Sequence, residues 1–478
     1  MKIRRTIAAT LFLLLGQQNI QSQEIPGDQF DVAAFDAAVA QVQDDAGAPG
    51  MAVAVLRDGQ LLHAKGYGMA GPHGQRVTTQ TAFQIGSITK SVVALVILQM
   101  ATEGKLELDD PVVHYVPTFR TSDKSQSDRI TIDHLVTHHS GLSTLDGNRA
   151  GDEDSGLSGP AAAVASLAGA QLFAEPGTAF QYSNANYAVL SHLIEVLDGQ
   201  AFEQVLQMRI FEPLGMTNSF VQVPRSGAIA VATGYRLWFG VPLSWRPDTE
   251  PDRRMIGAGG VSASIEDMAR YLEAIRSRDP RVVPDDADRL FRTKPFYENW
   301  GYAYGWYTNS TGDKTVIEHS GFTPGFFTLA TIVPATGEVV VVLTNMSGLA
   351  HGDLPRAVTN AALGWDPVPA APSFASRTAI WSAVMAPLGL LLLLYRTGRR
   401  LLSGGQPMRP LERGLNVGAA LGLVAGTCAV SIGFPAAIGV SFATGYAFFP
   451  DLTVTAVVTM TLALLSAAGR LALAIRGA

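Results

Sequence analysis

The chain has 478 residues, about three times the length of a typical domain, which excludes a single small domain. Hydrophobic residues make up 47% and charged residues 16%, against roughly 25% charged in an average soluble protein. With a mean hydropathy of +0.19, a mostly disordered chain is excluded and part of the protein is expected in lipid. The net charge of −6 is uneven: residues 1–23 carry +3, residues 378–478 carry +5, and the stretch between them holds −14. An acidic body lacks the basic face that phosphates require, so nucleic acid is excluded as a partner. The only cysteine, Cys428, lies in an apolar run, which rules out an intramolecular disulfide, a Cys-rich metal site and a thiolate nucleophile in the body.

Taken in chain order, residues 1–22 read as a secretory signal. Lys2, Arg4 and Arg5 precede the apolar run Ile7 to Leu15, and Ile20-Gln21-Ser22 supplies a cleavage site; an uncleaved anchor helix is the alternative. Asp31 to Gln43 has helical periodicity. Met51 to Gly59 reads as a buried strand, and Gln60 to Ala70 as its return in a hairpin. The middle of the body is expected to be helices and loops. Lys314 to Glu318, Phe326 to Val333 and Glu338 to Thr344 read as three further strands, with Thr336-Gly337 as the turn between the last two. Strands at both ends and helices between them predict an α+β fold: an antiparallel sheet built from both termini, flanked by helices, with an all-helical region. Asp366 to Pro372 carries three prolines and opens a linker over 366–377.

Residues 378–478 are expected to form a three-helix transmembrane segment, over about Thr378 to Tyr395, Leu415 to Val440 and Leu452 to Ile475. Arg396, Arg399, Arg400, Arg409 and Arg413 lie between the first two, which places that loop in the cytoplasm and the body outside the cell membrane. Gly414, Gly418, Gly422 and Gly426 make a small-residue stripe suited to close helix packing.

Three motifs carry chemistry. In Ser87-Ile88-Thr89-Lys90, the hydroxyl would sit at a helix N-terminus and the lysine one turn later on the same face. A desolvated lysine there can shed its proton and activate the hydroxyl. In Tyr182-Ser183-Asn184, a phenol and an amide two residues apart can both face a cleft from a turn, one to relay a proton and one to hold a carbonyl. In His319-Ser320-Gly321-Phe322, the glycine leaves room for a substrate backbone, and an exposed N–H there can serve an oxyanion. Each motif alone has a plain structural explanation: an N-cap, a packed tyrosine, a strand end.

Their order, S-x-x-K, Y-x-N and H-x-G, spaced by 95 and 137 residues, resembles the serine β-lactamase and penicillin-binding protein family. The likeness is to its class C β-lactamase-like branch, with D-Ala-D-Ala carboxypeptidase, esterase and D-aminopeptidase relatives. Thr137-His138-His139-Ser140-Gly141-Leu142 and Pro213-Leu214-Gly215-Met216 resemble further family segments, as does Gly259-Gly260 before Asp267, although Ala263 stands where a serine belongs. The resemblance covers about residues 30–350 and implies a β-lactamase/transpeptidase-like domain over 28–365. It implies catalytic roles for Ser87 as nucleophile, Lys90 as proton acceptor or shuttle, and Tyr182 as base or its partner. It implies substrate binding by Asn184, His319, Gly321 and Phe322, with the N–H groups of Ser87 and Phe322 as the oxyanion hole. His319 replaces the lysine of K-T-G, and a neutral imidazole binds a substrate carboxylate less well. Esterase or D-peptidase activity is therefore expected over efficient lactam hydrolysis, on a small-molecule, ester or peptide substrate, peptidoglycan fragments included. A penicillin- or cell-wall-fragment-binding receptor is the alternative. The oligomeric state stays open.

Gly66 to Gly71 matches G-x-G-x-x-G but runs into Pro72, so it reads as a turn. Asp146 to Gly151 hints at a calcium loop but lacks ligands at Ala150 and Leu157. His138 and His139 are adjacent and so face different ways, and the resemblance implies that both are structural. No metal and no cofactor are expected.

Overall fold

The structure is a computed structural model and describes residues 30–149, 159–224, 227–245, 253–297, 299–311, 314–348, 353–370, 374–403, 409–438 and 442–476. The signal expected over 1–22 and most of the acidic loop after Arg149 lie outside the described residues. The chain divides into two compact units, essentially the body up to Ala371 and the helices from Pro372 onward.

In the body, the strands expected at the two ends meet in one eight-stranded antiparallel sheet. Its order is Gln60–Gly68, Gly50–Arg57, Glu338–Thr344, Phe326–Val333, Lys314–Thr323, Trp306–Thr311, Trp300–Ala303 and Lys294–Tyr297. Val53 pairs with Val342, and Val342 with Leu329, so the most apolar strands lie side by side. Every residue of Phe326–Val333 and Glu338–Thr344 is buried, which requires cover on both faces and explains why these strands read as continuous apolar runs. Helices Ile265–Ser277 and Leu354–Leu363 pack on these strands. Ser264 caps the first by accepting the Asp267 N–H at 3.2 Å; Asp353 caps the second by accepting the Arg356 N–H at 3.2 Å. The α+β class expected from the sequence holds.

Between the sheet strands lies the helical region. Its centre is Thr89–Thr102, with 11 of 14 residues buried. A helix apolar all round must be a core helix, and this one carries Ser87 on its leading turn. That turn differs from expectation. Ser87 sits in a 3-10 turn, Gly86–Ile88, and the α-helix begins at Thr89. The turn is held by a small sheet in which Val261–Ser264 pairs with Ala82–Gln84 and with Phe220–Val221. Asn184–Asp198, expected from Tyr187 to Leu197, starts two residues after Tyr182, with Ser183 as its N-cap.

The C-terminal unit holds the long helices Phe374–Leu402, Pro410–Ile438 and Pro450–Arg476. The expectation of three membrane spans is corrected. Among the described residues one helix, Pro450–Ile475, is long and apolar enough to cross a membrane, with a mean hydropathy of 1.8. Phe374–Leu402 contains Pro387 and carries Arg399 and Arg400 in its last turn. Pro410–Ile438 opens on Glu412 and Arg413.

Candidate active site

Ser87 is half-buried at the turn before the core helix, with Lys90 one turn behind it. Lys90 is fully buried. Its Nζ lies 3.0 Å from Ser87 Oγ and donates to the Ala258 carbonyl at 2.7 Å. It stands over the rings of Tyr182 and Tyr187, 4.9 and 5.7 Å from their centroids. Burial alone drives its proton affinity well below the ordinary lysine range, because a charge in a dry interior without a counter-ion is costly.

Tyr182 hydrogen-bonds to Ser87, and burial outweighs that bond in pushing its phenol above the usual range. Lysine and tyrosine are thus both driven toward their neutral forms around one hydroxyl. Asn184 donates from Nδ2 to Asn148 Oδ1 at 3.0 Å. Its own Oδ1 is buried without a hydrogen-bond partner among the described residues, an acceptor available to a substrate N–H.

The Lys314–Thr323 strand forms the other wall. His319 is 2% exposed. Its Nδ1–H donates to the Ser320 carbonyl at 2.7 Å, leaving Nε2 as an acceptor 3.4 Å from the Tyr302 hydroxyl. Burial, then the nearby Lys90, push its pKa down to about 3, against the bond to Ser320. It is neutral at any ordinary pH.

Gly321 has a reason to be glycine that the sequence did not suggest. A Cβ there would stand 1.9 Å from the Ile85 carbonyl oxygen, so the glycine makes room for the protein's own backbone. Gly86, at φ +53°, does the same from the other side: a Cβ would fall 2.6 Å from the Phe322 nitrogen. Thr328 Oγ1 donates to the Ile85 carbonyl at 3.0 Å. The two glycines let the strand abut the Ser87 turn, bringing the Ser87 and Phe322 backbone regions together.

The structure therefore brings Ser87, Lys90 and Tyr182 into contact, with His319 beside Tyr182 and the Gly321–Phe322 backbone against the Ser87 turn; Asn184 lies two residues from Tyr182 and contacts Asn148. The sequence reading missed the Ala258 carbonyl, which holds the lysine from the Ile256–Gly259 helix. A Cβ on the neighbouring Gly257 would strike the Tyr187 carbonyl at 2.4 Å, so that glycine lets this short helix pack close to the site. Among the described residues no group of three His, Cys, Asp or Glu side chains converges to hold a metal ion.

Comparison with known proteins follows the same geometry. The family model described as Beta-lactamase matches residues 35–363. The unguisins hydrolase ungD' of Aspergillus campestris is 30% identical over 347 residues, 68% of this chain and 64% of that protein; the chain thus spans under two thirds of that relative's length. Penicillin-binding protein 4 of Amycolatopsis lactamdurans is 28% identical over 313 residues, 62% of this chain and 81% of its own length. The octameric penicillin-binding protein homologue from Pyrococcus abyssi superposes with a TM-score of 0.60 at 28% identity, covering 74% of this chain and 82% of that one.

Proposed function

We propose, from the premise that the chain belongs to the beta-lactamase family, that its body is a serine hydrolase cleaving esters or amides through an acyl-enzyme on Ser87. The observation that carries this reading is the buried Lys90 amine 3.0 Å from the Ser87 hydroxyl. A lysine withdrawn from water to that degree keeps a lone pair at neutral pH, so it accepts the Ser87 proton while Oγ attacks the substrate carbonyl. One of its remaining N–H bonds stays on Ala258, which fixes the lone pair toward Ser87. The Ser87 and Phe322 N–H groups take the charge that develops on the carbonyl oxygen. Tyr182, kept protonated by burial, passes a proton to the leaving group and is resupplied by the Lys90 ammonium. Water then attacks the acyl-enzyme by the reverse route. Asn184 Oδ1 accepts an N–H of the substrate.

His319 sets the substrate class. As a neutral ring with its Nδ1–H committed to Ser320, it offers no cation to a substrate carboxylate. Esters and amides without an obligatory carboxylate, uncharged peptidoglycan-derived peptides among them, suit this site better than penicillins. The relative named a penicillin-binding protein supports a second reading, a receptor or slow acylating protein in which the adduct persists.

The body over 28–365 would be joined through a Pro-rich linker over 366–377 to a membrane anchor, the helix Pro450–Ile475. Asp451 at its start and Arg470 and Arg476 toward its end orient it with the C-terminus in the cytoplasm. The body would then lie outside, where the leader-like residues 1–22 would send it.

The test is hydrolysis of p-nitrophenyl acetate, with intact-mass detection of adducts from a fluorophosphonate and from benzylpenicillin. Wild type is expected to turn over the ester and to take up the fluorophosphonate. Ser87→Ala is expected to take up neither reagent and to lose about 10⁴-fold or more in kcat. A penicilloyl adduct lasting for hours would favour the receptor. Undiminished hydrolysis by Ser87→Ala would remove the hydrolase reading.

A further inference from the structure

His138 lies outside all three motifs, and its sequence context reads as structural. Its backbone is left-handed, at φ +59°, and its side chain is fully buried. In this conformation one residue grips both neighbours of Tyr182. The His138 carbonyl accepts the Gln181 N–H at 3.0 Å, and its Nδ1 accepts the Ser183 N–H at 3.3 Å.

A third bond settles the tautomer. The Leu142 N–H donates to Ser140 Oγ at 3.1 Å, and Ser140 donates to Asn186 Oδ1 at 2.6 Å. That fixes the Asn186 amide, so its Nδ2 donates to His138 Nδ1 at 2.8 Å. With two N–H groups directed at it, Nδ1 carries the lone pair and Nε2 the hydrogen. Burial first, and then Lys90, His319 and His139, hold the ring well below its usual proton affinity, in keeping with this neutral form. The ring centroid is 4.5 Å from that of Tyr182 and 4.7 Å from that of Tyr302.

We propose that His138 is a positioning residue: through its carbonyl and its bare Nδ1 it clamps residues 181 and 183, and so sets the Tyr182 phenol and the Asn184 amide against Ser87. The proposal rests on the hydrolase reading above. Its physical content is that Tyr182 sits on a turn before a helix, where Thr144 holds its carbonyl and Ser143 the Ser183 hydroxyl but, among the described residues, only His138 takes the Gln181 and Ser183 N–H groups; loss of these bonds shifts the phenol, and a misplacement of about 1 Å can cost about 100-fold in rate.

The test uses the full-length protein and three variants at this position. Asn adopts the left-handed region readily and carries an acceptor at the place of Nδ1. Gln carries its amide near the place of Nε2, and Phe keeps the ring without any acceptor. With p-nitrophenyl acetate, His138→Asn is expected to stay within about 10-fold of wild-type kcat, whereas His138→Gln and His138→Phe fall by about 100-fold. KM is expected to move by less than about 3-fold in all three, because the clamp acts on the reacting groups rather than on general binding. The rate of fluorophosphonate labelling at Ser87 is expected to rank the variants in the same order. If His138→Phe does not fold, the Asn against Gln comparison decides. Equal losses in all variants, no loss in any, or losses that follow the melting temperatures rather than the acceptor position would overturn the clamp and leave the hydrolase reading intact. Absence of Ser87-dependent labelling and turnover in wild type would overturn both.

Discussion

Lys90, behind Ser87 on the core helix, and Arg356, in the first turn of Leu354–Leu363, are both cationic side chains withdrawn from water. Only Arg356 has a carboxylate beside it. Its guanidinium meets Glu318 in a two-pronged pair at 2.6 and 2.6 Å, with side-chain exposures of 21% and 9%. Burial works against the Arg356 charge, but the Glu318 charge and hydrogen bonds outweigh it and raise its proton affinity further. Lys90 has hydroxyl, carbonyl and aromatic neighbours, and burial acts on it unopposed. The same physical cost accompanies a structural tie in one place and, in the other, an amine held toward its neutral form, as the proposed mechanism requires of its base. What decides is whether the chain brings a carboxylate alongside.

The comparison can be broken at several points. The largest effect is expected from Lys90→Met, which removes the base and keeps the volume. Its kcat on p-nitrophenyl acetate should fall by about 10²–10⁴-fold, while its melting temperature holds or rises, since an apolar side chain replaces a buried amine. In wild type, kcat/KM should rise as pH rises through the depressed Lys90 pKa, with its limb far below about 10.4, the ordinary lysine value. A limb near that value would show that Lys90 is charged at rest.

Glu318→Gln should strike stability instead. It leaves the Arg356 charge with Asp353 alone and should cost up to about 3–5 kcal/mol in urea denaturation, part of which Arg356→Met in the same chain should recover. A loss no larger than that of a surface pair would mean that Arg356 finds water and that the contrast with Lys90 is smaller than the geometry implies.

The smallest effect concerns Asp353, which caps the Arg356 helix. Burial first, with Glu318 adding to it, pushes its carboxyl up to about 6, against Arg356 and its backbone N–H. The folded state then holds this proton more tightly than the unfolded chain does. Stability should therefore fall as pH rises from about 4 to about 6 and stay level above that. Asp353→Asn keeps the cap and should gain about 1–3 kcal/mol at pH 8 and nothing at pH 3.5. A stability difference independent of pH would contradict this assignment.

Much of this was legible in the sequence because it is local. The strands Phe326–Val333 and Glu338–Thr344 fall where their apolar runs end, and Thr336-Gly337 turns between them. Ser87 and Lys90 are three apart, so any helical geometry brings them near each other. The C-terminal segment was expected to supply three spans, whereas among the described residues one helix is long and apolar enough to cross a membrane.

What lay beyond reach is the set of contacts made across long separations. Ala258 stands 168 residues from Lys90, and its carbonyl carries no side-chain signature. Gly321 looked like space for a substrate, and only its distance to Ile85 shows that it is space for the chain itself. His138 and His139 are alike in sequence, yet a single left-handed φ turns His138 under Tyr182. The chain's own order of residues thus determined the elements, the family pattern and the chemical inventory of the site, because periodicity and short spacings act within a few residues. The tertiary structure alone decided which of those groups lose their water, Lys90, His138 and His319 among them. Desolvation is a property of everything packed around a group, and no neighbour in sequence supplies it.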